Sequence, residues 1–421
     1  MEAQYLINNL WVIIAALLVF TMTISVGFLE IGEMGKGYKR ALIKTVMITG
    51  LSLVVMAVIG FNTAFAPTLY GVIGNPLYSK GLLLGSYSGV SFNGVWWSMK
   101  PNYFNTGLTE YTYFLFETAF ASVTLALVGL VVLKKMKLLP FFIFAIIYFI
   151  IIWNLPAAWI WNPTGWLYEI GMRDFAGGLV VHGAAGAAGL AIMVRIYIEE
   201  RKKKINSNKS ALKINHTWLT LSILLLLVGW FGFNPGSVLA FNTEAMNVAV
   251  VTFLAAGSAM LSTALFVWLI NKKDPAIGDF VNGILMGLII ITPLAGFVSA
   301  GSAIILGIIG GPLLIFSENM LQKVKWLDDP MGLMPGHAVG GLFGIIMIGF
   351  FTQHAFAIAS GDPTIPSGIF FNGGMSALHQ LGIELFGIVV VMVTVFAISY
   401  AVLSAISKIT HGIIETENKD E

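Results

Sequence analysis

The chain contains no cysteine, which excludes disulfides, thiolate metal centres and cysteine nucleophiles. Charge is scarce as well. Asp, Glu, Lys and Arg make up 10% of 421 residues, against about 25% in soluble domains. So thin a charged coat cannot cover a soluble protein of this length. Only six histidines occur. Four of them (His216, His354, His379 and His411) map to loops or span ends, and a catalytic metal wants about three protein ligands. No metal, cofactor or nucleic-acid partner is expected. No basic stretch precedes the apolar run in "MEAQYLINNLWVII", so this segment is expected to be a first spanning helix rather than a cleaved leader. No appended soluble domain is expected at either end.

What the chain does have is long apolar blocks. Hydrophobic residues account for 57% of it, and the mean hydropathy is +0.86. The expected fold class is all-α, a polytopic membrane protein. About 20 residues cross a hydrocarbon core of about 30 Å. Eleven segments qualify, at roughly 8–31, 41–66, 108–132, 138–160, 174–195, 217–240, 246–271, 277–297, 299–317, 331–352 and 377–407. The narrowest division is "GFVSAGSA" (296–303), where one turn separates two spans. Forty-six glycines suit helices whose backbones approach closely.

Basic residues test that count. With the N-terminus outside and the connections alternating, the outside segments hold only Lys80, Lys100 and Arg173. That leaves 20 of the 23 basic residues inside, Lys44 and Arg195 among them. A missed or additional span would scramble this asymmetry. The chain reads as a multi-pass protein of the cell membrane, N-terminus outside and C-terminus inside, in contact with the lipid bilayer. Residues 1–410 are expected to form one transmembrane domain, with halves at about 8–195 and 217–352 and a final helix at about 377–407. Residues 411–421 read as a short cytosolic tail. The Lys-rich inside loop 195–215 reads as a topology anchor. The outside loops 67–107 and 353–376 read as an external rim, and Trp153, Trp159 and Trp166 as interfacial belt residues.

The most informative feature is a repeat. Asp174 precedes His182 by eight residues in "DFAGGLVVH", and Asp329 precedes His337 by eight in "DDPMGLMPGH". Each acid and each histidine is 155 positions from its counterpart. Asp174 opens the fifth span and Asp329 the tenth. A five-helix unit crosses the membrane an odd number of times, so its copy enters from the opposite side. Spans 1–5 and 6–10 are therefore expected to be inverted repeats, with a site near the midplane between them. The acids suit helix starts, where unpaired N–H groups and the dipole favour an anion. Eight residues on, two turns and about 12 Å deeper, both histidines approach the bilayer centre. Gly178, Gly186, Gly341 and Gly344 would let the two helices touch so that the imidazoles meet. Ionisable groups at that depth are functional by default.

Several stretches carry a resemblance: "DFAGGLVVH" (174–182), "GWFGFNPGS" (229–237), "FETAFASVT" (116–124), and Asp328-Asp329-Pro330 followed by His337. In this order, across eleven spans, they resemble the Amt/Mep/Rh ammonium transporters, closer to Amt than to Rh. "GFLEIGEMGKG" (27–37) is similar to an early stretch of that family. The resemblance implies a homotrimer with one narrow apolar pore per subunit, taking ammonium or ammonia and also methylammonium. It implies that Phe120, Trp161 and Ser237 form an outer cation site, with Phe116 beside it. Phe120 and Phe233 would form a stacked gate, and His182 and His337 the pore pair. Asp174 would support the outer site, with Asp329 its counterpart at the inner end.

Three departures stand out. Glu117 replaces the family's usual Gln. Pro235 replaces a small residue and is expected to alter the backbone near Ser237. The chain runs only "GIIETENKDE" after its last span, where the family has a longer tail that docks PII-type regulators, so that partner is left open.

The residue types themselves fit ammonium chemistry. Ring faces and an acceptor oxygen suit a cation. A dry pore excludes any ion that cannot shed its charge, and two imidazoles offer donors and acceptors to neutral ammonia. The expected function is recruitment of NH4+, removal of its proton and passage of NH3. The rival is a non-conducting ammonium sensor of the same fold. An intramembrane enzyme is disfavoured, because "FNPGSV" is no nucleophile elbow.

Overall fold

The computed structural model describes residues 2–34, 38–78, 107–132, 135–205 and 213–415. Among them, eleven helices are long and apolar enough to cross a membrane. They are α1 (Ala3–Glu33), α2 (Lys39–Phe65), α3 (Glu110–Gly129), α4 (Leu138–Ile160), α5 (Gly178–Lys202) and α6 (His216–Gly236), followed by α7 (Thr243–Asn271), α8 (Ile277–Leu294), α9 (Ala300–Leu321), α10 (Leu333–Phe351) and α11 (Gly374–Ile409). These are the eleven spans expected from hydropathy, with shifted ends. The only strands among the described residues are Thr68–Leu69 and Ile73–Gly74, which pair antiparallel. Most of the rim loop (79–106), the centre of the Lys-rich loop (206–212) and the tail beyond 415 lie outside the described residues.

Local chemistry sets the helix starts. Thr109 Oγ1 accepts the Thr112 N–H at the head of α3, and Asn242 Oδ1 accepts that of Ala245 at the head of α7. Asn215 Oδ1 takes the N–H groups of Thr217 and Trp218. Each satisfies a donor the helix cannot pair itself. Ser299 does the same for Ser302, so the narrow division at 296–303 is a genuine helix break.

Helix α1 packs along α6 and α3, α7 against α8 and α9, and α11 against α5 and α10. Two π turns, at Met56–Gly60 in α2 and Tyr148–Ile152 in α4, face one another. The Asn154 amide is 2.9 Å from the Gly60 carbonyl and 2.7 Å from that of Phe149. It thus occupies carbonyls that wide turns leave poorly paired.

One expectation changes here. Trp153 is fully buried, with its ring against Trp161 and Phe65. Trp159 is buried too, and its indole N–H donates to the Val72 carbonyl. Neither lies in an interfacial belt; both are core, held by aromatic packing within the bundle. Lys44 and Arg195, counted with the inside basic residues, lie within α2 and α5 and are buried. Lys44 Nζ is 2.8 Å from Glu30 Oε2 and 2.6 Å from the Gly129 carbonyl, and Arg195 donates to Ser407 Oγ. A charge at that depth is kept by its partners.

Candidate functional site: an aromatic cavity next to paired histidines

Helix α5 begins abruptly. Gly177 has φ +111°, and Gly178–Gly183 form a π turn. The start of α10 repeats this at the same spacing of 155, with Gly332 at φ +68° and a π turn over Leu333–Ala338. Glycine adopts such backbone at no steric cost. Asp174 Oδ1 accepts the N–H groups of Gly177 and Gly178, and Oδ2 those of Leu179 and Val180, at 2.7–2.9 Å. Asp329 accepts those of Leu333 and Met334 at 2.9 and 2.7 Å. Residues 174–177 are therefore the cap and not the helix. The two turns expected between acid and histidine reduce to one π turn in each half.

The helices meet where the glycines predict. A Cβ on Gly186 would lie 2.6 Å from that of Ala338. This approach brings His182 Nδ1 within 3.1 Å of His337 Nδ1, both rings buried. At that distance one Nδ1 donates its proton and the other accepts. Each neutral ring then has the opposite role at Nε2, and His182 Nε2 has no protein partner. The surrounding wall is apolar, with Met22, Val26, Leu29, Val123, Leu127 and Leu226 lining it. The free volume is about 10 Å³, roughly one water-sized sphere.

Above the histidines the aromatic rings continue. Phe233 lies nearly parallel to His182, at 15° and 6.0 Å between centroids, and Phe120 lies 4.3 Å from Phe233. Phe120 forms the floor of a cavity of about 120 Å³ that Phe116, Glu117, Trp161, Asp174 and Ser237 also line. Trp161 meets Phe120 edge-on at 5.7 Å, and its indole N–H is held 2.7 Å from the Asp174 carbonyl. Ser237 Oγ donates to the Phe233 carbonyl at 2.8 Å, which leaves its oxygen free to accept. Pro235 sits in the last turn of α6, and Ser237 closes that helix with ordinary right-handed backbone. The expected distortion there is absent.

The structure thus gathers every residue expected at the outer site and in the pore. Asp329 stands apart, lining a separate cavity of about 370 Å³ with Glu33, Glu318 and Asp328. Burial pushes the Asp329 carboxyl up to about 6, against the opposing pull of the Met334 and Leu333 N–H groups. Four contributors escaped the sequence reading. Trp230 stacks on His182 at 5.7 Å; its position three before Phe233, on one helix face, was the available signal. Arg173 and Asp362 form an ion pair beside the cavity, and the Tyr168 ring lies 4.1 Å from the Arg173 guanidinium. No local pattern links positions so far apart in sequence.

The sequence model described as Ammonium Transporter Family matches residues 10–421. The chain belongs to the ammonium transporter family. Among its relatives, the ammonium transporter of Bacillus subtilis (strain 168) is 30% identical over 404 residues, covering 95% of this chain and 92% of that protein. Ammonium transporter Amt1 of Archaeoglobus fulgidus is 29% identical over 350 residues, covering 81% and 80%. Among solved structures, one titled Sensor Amt Protein superposes with a TM-score of 0.82 at 29% identity, covering 99% of this chain and 96% of that one. Mep2 from Candida albicans shares the fold, with a TM-score of 0.83 at 24% identity and coverage of 98% and 86%.

Proposed function

We propose that the protein recruits NH4+ at Phe120, Trp161 and Ser237, removes its proton, and passes NH3 between Phe120 and Phe233 and along His182 and His337. The observation that carries this reading is the 3.1 Å imidazole pair in an apolar pore. Ring faces attract a cation by about 0.5–2 kcal/mol, and Ser237 adds an acceptor. A bare ion entering the apolar stretch would lose tens of kcal/mol of hydration in the idealised limit, whereas ammonia pays far less and finds polar partners at the imidazoles. Potassium has no proton to give up, so chemistry and not radius excludes it.

The matched caps at a spacing of 155 support two inverted halves within one transmembrane domain. The basic-residue asymmetry supports a cell-membrane protein with its N-terminus outside. The family supports a homotrimer and methylammonium as a second substrate; a PII-type regulator is left open. Transport without enzymatic chemistry accounts for the site.

Uptake of ammonium and methylammonium into proteoliposomes, with potassium as competitor, tests the reading. Flux above that of empty vesicles, unaffected by potassium, is expected; flux equal to empty vesicles rejects it. The second reading, a sensor that binds without conducting, is favoured by the 0.82 superposition on a chain titled as a sensor. Saturable binding without flux selects it.

A further inference from the structure

The proposed function takes a proton off ammonium, and in this chain, where Glu117 replaces the family's usual Gln, the titratable groups lining the cavity can be compared one by one. They are Tyr113, Glu117, Tyr168, Arg173, Asp174 and Asp362. Arg173 is a cation matched by Asp362, so it neither takes a proton nor opposes a bound cation strongly. Asp362 also accepts from Thr364 at 2.6 Å. Asp174 has both oxygens occupied by four backbone N–H groups. Protonating it would cost the cap of α5. The two tyrosines are acids of pKa near 10 in water and are no bases at neutral pH.

Glu117 differs from all of these. Its side chain is 5% exposed, one turn from Phe120 on α3. Tyr113, one turn earlier, hydrogen-bonds its carboxylate, while Oε2 has no protein partner. An unpaired carboxylate oxygen at such burial is costly, and a site that keeps one calls for a partner that the chain does not supply. An ammonium ion resting on Trp161, Phe120 and Ser237 has four N–H groups and meets that need.

We infer that Glu117 is the proton acceptor of the outer site, an inference that rests on the transport reading above. One N–H bond of ammonium breaks with its electron pair left on nitrogen, and an O–H bond forms on the carboxylate. NH4+ and Glu117 carboxylate become NH3 and Glu117 carboxylic acid. Ammonia enters the pore, and the proton leaves the acid to the outer water through the cavity mouth, restoring the carboxylate.

The test compares the wild-type protein with E117Q and E117D in proteoliposomes, over a range of external pH at fixed NH4+ concentration. Removal of a positioned base costs about 100-fold in rate, so E117Q flux is expected to fall by about that factor. E117D, which keeps a carboxylate, should retain more. Wild-type flux should fall on the acid side, and the residual E117Q flux should lack that limb. E117Q flux within twofold of wild type, or with the same acid limb, overturns the inference. Wild-type flux equal to empty vesicles overturns the transport reading instead. Infrared difference spectra of the purified protein give a separate readout. Ammonium should raise a protonated-carboxyl band in wild type, potassium should raise none, and E117Q should lack it. No such band in wild type overturns the inference even where flux is intact.

Discussion

The starts of α5 and α10 are built alike and surrounded differently. Both pair an acid with a left-handed glycine three residues later and a π turn that ends just past a histidine. Yet Asp174 is buried with four N–H partners, whereas Asp329 is half-buried with two. Asp174 borders a tight aromatic cavity of about 120 Å³, and Asp329 a wider acidic one of about 370 Å³. The same backbone device therefore borders an aromatic cavity at one end and a larger acidic one at the other. The two helix starts share a frame, and their neighbours differ.

Removing the caps is the strongest way to break this comparison. Asp174→Ala strands four buried donors, and its cost should be several times the about 1 kcal/mol of an ordinary cap. Asp329→Ala should cost about 1–2 kcal/mol. Thermal unfolding in detergent measures both, and equal losses would mean that the caps are equivalent after all. Next in size is the helix contact. Gly186→Val pushes on Ala338 and should destabilise by about 1–3 kcal/mol. A Cβ on Gly336 meets nothing within 4 Å, so Gly336→Ala should stay within about 0.5 kcal/mol. Trp161→Phe keeps a ring but loses the bond to the Asp174 carbonyl, a change of about 1 kcal/mol. It should raise the half-saturating ammonium concentration about fivefold, while Asn282→Ala, in the acidic cavity that Asn282 lines with Asp329, leaves it unchanged.

The smallest effect sharpens the contrast through pH. A carboxyl raised from 3.8 to about 6 in the fold favours its protonated form there. Its stabilising contribution is present at low pH and is lost as pH rises through about 6. Wild type should therefore gain stability relative to Asp329→Asn between about pH 6.5 and 4, read as a widening gap in melting temperature.

The spans were legible because hydropathy and charge asymmetry act over whole helices. The histidine pair was legible because a doubled spacing of 155 is improbable without a repeat. What sequence could not give was geometry that depends on packing. The π turns look like ordinary helix in any periodic pattern, so the depth of His182 was overestimated. Trp153 reads as a belt residue until Phe65 of α2 and Trp161 close around it. The Arg173–Asp362 ion pair joins loops 189 positions apart, and no local rule anticipates it. Glu117 was visible as an unusual acid, but its unpaired oxygen appears only once Tyr113 and Phe120 close around it.

The space beside the paired imidazoles, about 10 Å³, holds one small body and gives two no room to exchange places. Whatever moves there moves in file. A labelled molecule must wait for those ahead of it, so isotope exchange at equilibrium should run slower than net movement down a gradient.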